Sequence, residues 1–182
     1  MDNNYIFQYW EAIQNGTVTV GKWIKTIYKI LVNGLKSGKW DFDEEKANKA
    51  INFIENFCHH SEGRNDLLKL ELWQKAIVSA IFGIMDKRTG YRQFREVFIV
   101  VARKNGKTLF AAAIAAYMAY IDGEYGAKVY FLAPKLDQAD LVYDAFYQIV
   151  QADDELDSIT KKRRSDIYIK EFNTSVKKIA FN

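Results

Sequence analysis

Val97-Phe98-Ile99-Val100-Val101-Ala102-Arg103-Lys104-Asn105-Gly106-Lys107-Thr108 is the stretch that decides how this chain is read. Its first six residues are apolar at every position and rich in β-branched side chains. That predicts a strand buried on both faces, as in a parallel sheet. A short polar loop follows, and then a helix from about Thr108 to Ile121 that is apolar nearly all round and closed by Asp122-Gly123. A strand, a glycine-bearing loop and a helix in this order form the setting in which backbone N–H groups and the helix dipole hold phosphate. Gly106 lets the backbone approach phosphate oxygens with no Cβ in the way. Lys107 is a mobile point charge able to reach a β- or γ-phosphate, and Thr108 offers a hydroxyl to Mg²⁺. The full spacing of a phosphate loop asks for a glycine five residues before Gly106, where this chain has Val101. Spacing alone therefore leaves a plain strand-to-helix turn open.

Downstream, Val129-Tyr130-Phe131-Leu132-Ala133 is expected to be a second buried strand, stopped by Pro134, the sole proline. Asp137 is placed as the N-cap of a helix running to about Val150. Alternating strands and helices predict βαβ units on a parallel sheet. Ile167–Glu171 and Val176–Phe181 read as two further strands joined through Asn173-Thr174-Ser175 in a hairpin.

Upstream the chain reads as helices. From Val20, Trp23, Ile24, Ile27, Tyr28, Leu31 and Leu35 recur at three-and-four spacing, which predicts one buried face with Lys22, Lys25, Lys29 and Lys36 opposite. That basic side is either a solvated surface or a DNA contact. A second helix is expected from Asp43, with Asp43, Glu44 and Glu45 at the positive end of its dipole. Its stripe is Ala47, Ala50, Ile51, Ile54, Phe57 and Cys58, and Ser61-Glu62-Gly63 ends it. Leu70–Phe82 is a third helix, ending near Gly83. The expected organisation is a helical leader over 1–66 and an α/β core over 67–182.

Composition bounds the rest. With 182 residues, 49% of them hydrophobic, the chain has the material to bury about 70% of its unfolded surface. One proline and ten glycines exclude collagen-like or low-complexity architecture. A lone cysteine, Cys58, excludes a disulfide scaffold and fits a reducing compartment. No secretion signal is expected from the polar start Met1-Asp2-Asn3-Asn4. The longest apolar run, Leu109 to Ile121, is thirteen residues, short of the roughly 20 a membrane span needs, so a soluble protein is expected. A net charge of +3 permits nucleic acid as a partner without arguing for it.

Several motifs in order resemble one family, the large terminase subunit of tailed bacteriophages. Val100 to Thr108 looks like that family's variant phosphate loop, in which the first glycine is commonly missing and an arginine precedes Gly-Lys. Leu70-Glu71-Leu72-Trp73-Gln74 is similar to its upstream Leu-x-x-Trp-Gln element, and Gln138-Ala139 to a recurring dipeptide. Phe53-Ile54-Glu55 fits its helical leader. The resemblance spans roughly residues 45 to 155. It implies an α/β fold with the front part of a P-loop ATPase sheet. It also implies a loop Arg103-Lys104-Asn105-Gly106-Lys107-Thr108 that binds ATP, with Gly106 and Lys107 on phosphate and Mg²⁺ on Thr108. Gln74 would read adenine, Trp73 would lie near the base, and Arg103 would contact and sense the γ-phosphate, with Arg103 and Lys107 the catalytic pair. Charge alone makes Arg103 either a stabiliser of phosphoryl-transfer charge or a surface cation beside Lys104. The implied partners are double-stranded DNA, the portal of a procapsid, a small terminase subunit and further copies in a ring, in the cytoplasm of a bacterial host.

ATP hydrolysis also needs carboxylates to organise Mg²⁺ and activate water, expected as an apolar strand ending in Asp-Glu. Asp43-Glu44 and Asp154-Glu155 do not follow such a strand, and no carboxylate cluster for DNA cleavage is visible. The chain is therefore expected to be truncated and, alone, to hydrolyse ATP poorly. Cys58-His59-His60 lacks the second pair a zinc site requires; a core cysteine with two exposed histidines is the expected arrangement. Lys161-Lys162-Arg163-Arg164 reads as an exposed loop or a DNA phosphate contact. Two rivals stand beside the terminase reading. One is another P-loop helicase or translocase; the other is a non-catalytic interaction domain with a decayed loop.

Overall fold

A computed structural model describes residues 4–60, 63, 64 and 66–180. The chain divides into two compact units, one of residues 1–52 with 70–99 and one of 53–69 with 100–182.

The first unit is mostly helical. α1 (Tyr5–Gln14) begins at Asn4, whose side chain accepts from the N–H groups of Ile6 and Phe7. It packs against α2 (Lys22–Lys36) and α4 (Leu72–Gly83). Ile6, Tyr9, Ile13, Tyr28, Leu31, Val32, Ala76 and Ile84 form the core of this unit, with the Tyr9 and Tyr28 rings edge-on at 4.7 Å. β1 (Asp41–Phe42) pairs antiparallel with β2 (Ile84–Met85). Gly34 lies under the Trp40 indole and Gly83 against Phe42, both close approaches that a side chain would obstruct. α3 (Glu44–Phe57) starts where expected, with Asp43 Oδ1 accepting from the N–H of Lys46 at 2.9 Å. Its residues to Asn52 belong to this unit and the rest to the second.

The expected face of α2 needs correcting. Tyr28, Leu31, Val32 and Gly34 are buried, but Trp23, Ile24 and Ile27 are exposed, as is Ile30. At about 100° per residue, positions 23, 27 and 30 fall on a second stripe, well round the helix from 28, 31 and 32. One helix of fifteen residues carries more apolar surface than α1 and α4 can cover.

In the second unit, α5 (Lys107–Tyr120) packs on α6 (Leu136–Gln151), and α6 lies over the sheet. The sheet runs β3 (Lys128–Ala133), β6 (Thr174–Ala180), β5 (Ile167–Ile169), β4 (Thr160–Lys162). β3 and β6 are parallel, in register from Lys128↔Ser175 to Ala133↔Ala180. The remaining pairs are antiparallel. The hairpin expected between the last two strands is present, with Asn173 in the left-handed region at its turn. Phe53, Tyr120, Phe131 and Phe146 fill the space between helices and sheet with ring–ring contacts near 6 Å. Cys58 is fully buried beside them, and short α7 (Asp154–Ile159) follows α6.

Four further expectations are corrected. Val97–Ala102 is not a strand: it carries no ladder partner, and Val97 (48%), Phe98 (93%), Ile99 (39%) and Val100 (79%) are exposed. A strand exists only by pairing, and no described strand lies beside this run to take its backbone groups. The expected βαβ unit built on it is therefore absent, and the parallel pair is β3 with β6. β3 itself is half-covered rather than buried on both faces, with Tyr130 and Leu132 exposed, because it is the sheet's edge and only one of its faces meets helices. Lys135, not Asp137, is the N-cap of α6; Asp137 sits in the first turn, where its charge still meets the helix dipole. Finally, Lys161 and Lys162 lie in β4 rather than a loop; all four basic residues of that run are exposed, but Arg163 grips Asp166 and Lys162 stacks on Tyr147. Of the break expected at Ser61-Glu62-Gly63, the first two residues lie outside the described ones. Phe181, the expected end of the last strand, does too.

Candidate nucleotide site

The loop from Val100 to Gly106 is bent by two residues in the left-handed region, Lys104 (φ 69°) and Gly106 (φ 65°). Gly106 is the N-cap of α5, and its carbonyl accepts the first helical bond from the N–H of Phe110 at 2.9 Å. A glycine is needed here for its backbone and not for room: a Cβ would meet nothing within 4 Å. That open space lies at the start of a fourteen-residue helix whose first N–H groups receive no side-chain cap. Such a terminus concentrates positive potential on whatever approaches it. Asn105 braces the loop from inside, its Nδ2 donating to the carbonyl of Ala102 at 3.2 Å.

Arg103, Lys104, Asn105, Gly106 and Lys107 are exposed, and Thr108 is half-buried in the first turn of α5. Among the described residues no carboxylate pairs with Arg103, Lys104 or Lys107. Three uncompensated cations therefore stand at an uncapped helix N-terminus. That arrangement can hold a polyphosphate by charge and by backbone donors together. Thr108 supplies one oxygen suited to Mg²⁺. The left-handed backbone of Lys104 and the bracing by Asn105 are features the sequence reading lacked. The Asn105-Gly106 pair is a turn signal that points to the bend, but nothing in the sequence marks Lys104.

Gln74 lies in the first unit, in the first turn of α4. It is 8% exposed, and its Oε1 accepts from the N–H of Glu71 at 2.9 Å. The Glu71 side chain in turn accepts from the N–H of Gln74, closing a reciprocal capping box. This uses one lone pair of Oε1; the other and the NH₂ are the groups a purine edge would meet. Trp73 is half-buried against the core of the first unit.

The two Asp-Glu pairs serve helices. Glu44 and Glu45 open α3 behind Asp43, while Asp154 and Glu155 open α7 behind Asp153, whose Oδ1 accepts from the N–H of Leu156 at 3.0 Å. Of the Cys58-His59-His60 run, the cysteine is buried with its thiol pushed up to about 12, by burial first and the nearby Asp153 charge second. The histidines are half-buried rather than exposed, His60 with its Nε2 2.6 Å from Arg64. Among the described residues no three His, Cys, Asp or Glu side chains are grouped to hold a metal ion.

The family model described as terminase large subunit, ATPase domain, matches residues 72–182, more than half of the chain and all of the loop. The chain belongs to that family. The crystal structure of the HK97 bacteriophage large terminase is similar, with a TM-score of 0.64 at 24% identity. The match covers 74% of this chain and 27% of the HK97 one, so the chain spans about a quarter of that terminase. At this identity the likeness speaks for the fold, an α/β arrangement with a small mixed sheet. A search of curated proteins gives no match. The terminase match begins at Leu72 and so takes in Trp73-Gln74 as well as the loop. No helix among the described residues is long and apolar enough to cross a membrane.

Proposed function

We propose that this chain is the ATP-gripping portion of a terminase motor that drives viral DNA into a procapsid. The observation that carries the proposal is the uncapped start of α5, with three unpaired cations on a loop bent by Lys104 and Gly106, inside the family's matched region. Lys107 and the loop N–H groups would hold the β- and γ-phosphates, and Arg103 would meet and sense the γ-phosphate. Lys104 and Asn105 shape the cradle, Thr108 would carry Mg²⁺, and Gln74 would read adenine with the amide atoms its capping box leaves over. Bound Mg²⁺ would neutralise charge developing on the phosphates. Residues 1–66 would act as a helical leader and 67–182 as the front part of the ATPase domain. Double-stranded DNA, a portal, a small subunit and further copies in a ring are the partners this role requires.

Thermal melting with and without millimolar Mg-ATP, on the wild type and on Lys107→Ala, tests the reading. At a ligand concentration of about ten times Kd, mass action adds about 1.4 kcal/mol of stability. The expected result is a rise in Tm that the substitution abolishes, with slow or no turnover. An unchanged Tm at millimolar Mg-ATP would instead favour a docking module with a decayed loop.

A further inference from the structure

Charge is segregated along this chain. From Ala12 to Trp40 there are five lysines (Lys22, Lys25, Lys29, Lys36, Lys39) and no acid. From Leu136 to Thr160 there are seven acids and neither lysine nor arginine. The first stretch folds into α2 and a cleft of about 530 Å³ lined by Trp10 and Gln14 of α1 and by Lys22, Lys25, Thr26 and Lys29 of α2. Among the described residues these lysines have no carboxylate partner. Beside them runs the second apolar stripe of α2, with Trp23 70%, Ile27 49% and Ile30 54% exposed. The acidic stretch presents a matching line. Asp137, Leu141, Asp144 and Gln148 follow one another at helical spacing along α6, all exposed, with Leu141 at 63%. Asp154, Glu155 and Asp157 of α7 extend it. Asp140 is already spent on Lys178.

We propose that the lysine cleft and outer stripe of α2 dock a second copy of this chain through that copy's α6–α7 surface. Each face pairs cations or anions with exposed apolar side chains. Phosphates alone would leave Trp23, Ile27 and Ile30 in water, whereas an acidic helix bearing Leu141 covers both kinds of surface. The two faces differ, so each contact joins unlike surfaces. This assigns surfaces to the self-association included in the terminase reading and rests on that reading only there. It uses no residue of the nucleotide loop.

Analytical ultracentrifugation over about a hundredfold range of concentration tests it, since mass action drives association. The wild type should grow in mass with concentration at about 0.05 M salt and less so at about 0.5 M. Lys25→Glu with Lys29→Glu turns the lysine cleft acidic; Asp144→Lys with Gln148→Lys turns the α6 part of the acidic line basic, with Asp137 its remaining acid. Each double variant alone should stay monomeric, and an equimolar mixture should associate again, which a mere folding defect would not allow. Lys107→Ala should associate like the wild type, so a failed nucleotide reading leaves this result untouched. A wild type that is monomeric throughout would overturn the proposal. So would double variants that associate unchanged, or a wild type that binds phosphatidylserine vesicles or duplex DNA through the same lysines while remaining monomeric.

Discussion

Asp166 shows how one residue ties acid sensitivity to the fold. It is 3% exposed and held in a two-pronged grip, Arg163 Nε to Oδ1 at 2.6 Å and Nη2 to Oδ2 at 2.5 Å. The Arg163 hydrogen bonds above all, helped by its charge and that of Lys177, hold the Asp166 carboxyl below the ordinary carboxylate range against the upward push of burial. A carboxylate whose folded pKa is depressed adds stability above its unfolded value, about 4, and loses it as pH falls through the folded value. Arg163→Ala should therefore lower Tm at neutral pH, and the gap to the wild type should narrow as pH falls through the folded pKa of Asp166. Circular dichroism melts between about pH 3 and 7 would register both; a gap that stays constant across that range would contradict the assignment. Gly106 and Lys104 mark how far single residues were legible. Gly106-Lys107-Thr108 announces itself by chemistry, because phosphate needs a backbone donor, a cation and a metal-binding oxygen close together. The left-handed turn at Lys104 was invisible, since a lysine carries no bias toward positive φ.

Elements set by their own periodicity were the ones readable in advance. α3, α6 and the hairpin of β5 and β6 follow from helical stripes, first-turn acids and turn residues that act within a few positions, and α5 from an apolar run of helical length closed by Asp122-Gly123. Val97–Ala102 failed for the opposite reason: an apolar β-branched run has strand propensity, but its strand state is granted by neighbours far away in the chain. α2 failed in part, because periodicity identifies an apolar face without saying whether anything covers it. The small elements β1, β2 and α7 left too little pattern to find. Packing of elements also sets a stability test. A Cβ on Gly34 would run into the Trp40 indole, and one on Gly83 would lie 2.6 Å from the Phe42 ring. Gly34→Ala and Gly83→Ala should each cost about 1–3 kcal/mol by overpacking, partly offset in Gly34 by the better helix propensity of alanine. Gly21→Ala, at the N-cap of α2 with open space around it, meets no clash and should cost only what a poorer N-cap costs, about 0.5–1 kcal/mol. Urea denaturation compares the three directly.

At the scale of the whole molecule, Cys58 reports on the integrity of the second unit. Fully buried, and with ionisation suppressed, its thiol has little thiolate and no access to reagent. A disulfide reagent at about pH 8 should label the native chain far more slowly than the urea-unfolded one, at a rate set by opening of that unit; equal rates would place the thiol at the surface. The interleaving of the two units has a consequence for how the protein is made. Residues 4–52 meet the rest of their unit only when 70–99 have been synthesised, and β3 waits for β6, some forty residues further on. Chain growth at about 5–20 residues per second leaves an interval of seconds. During it the nascent protein holds helices without a finished core and β3 bare along both edges. Birth on the ribosome, rather than the finished fold, is then when a strand of this chain is most open to pairing with the wrong partner.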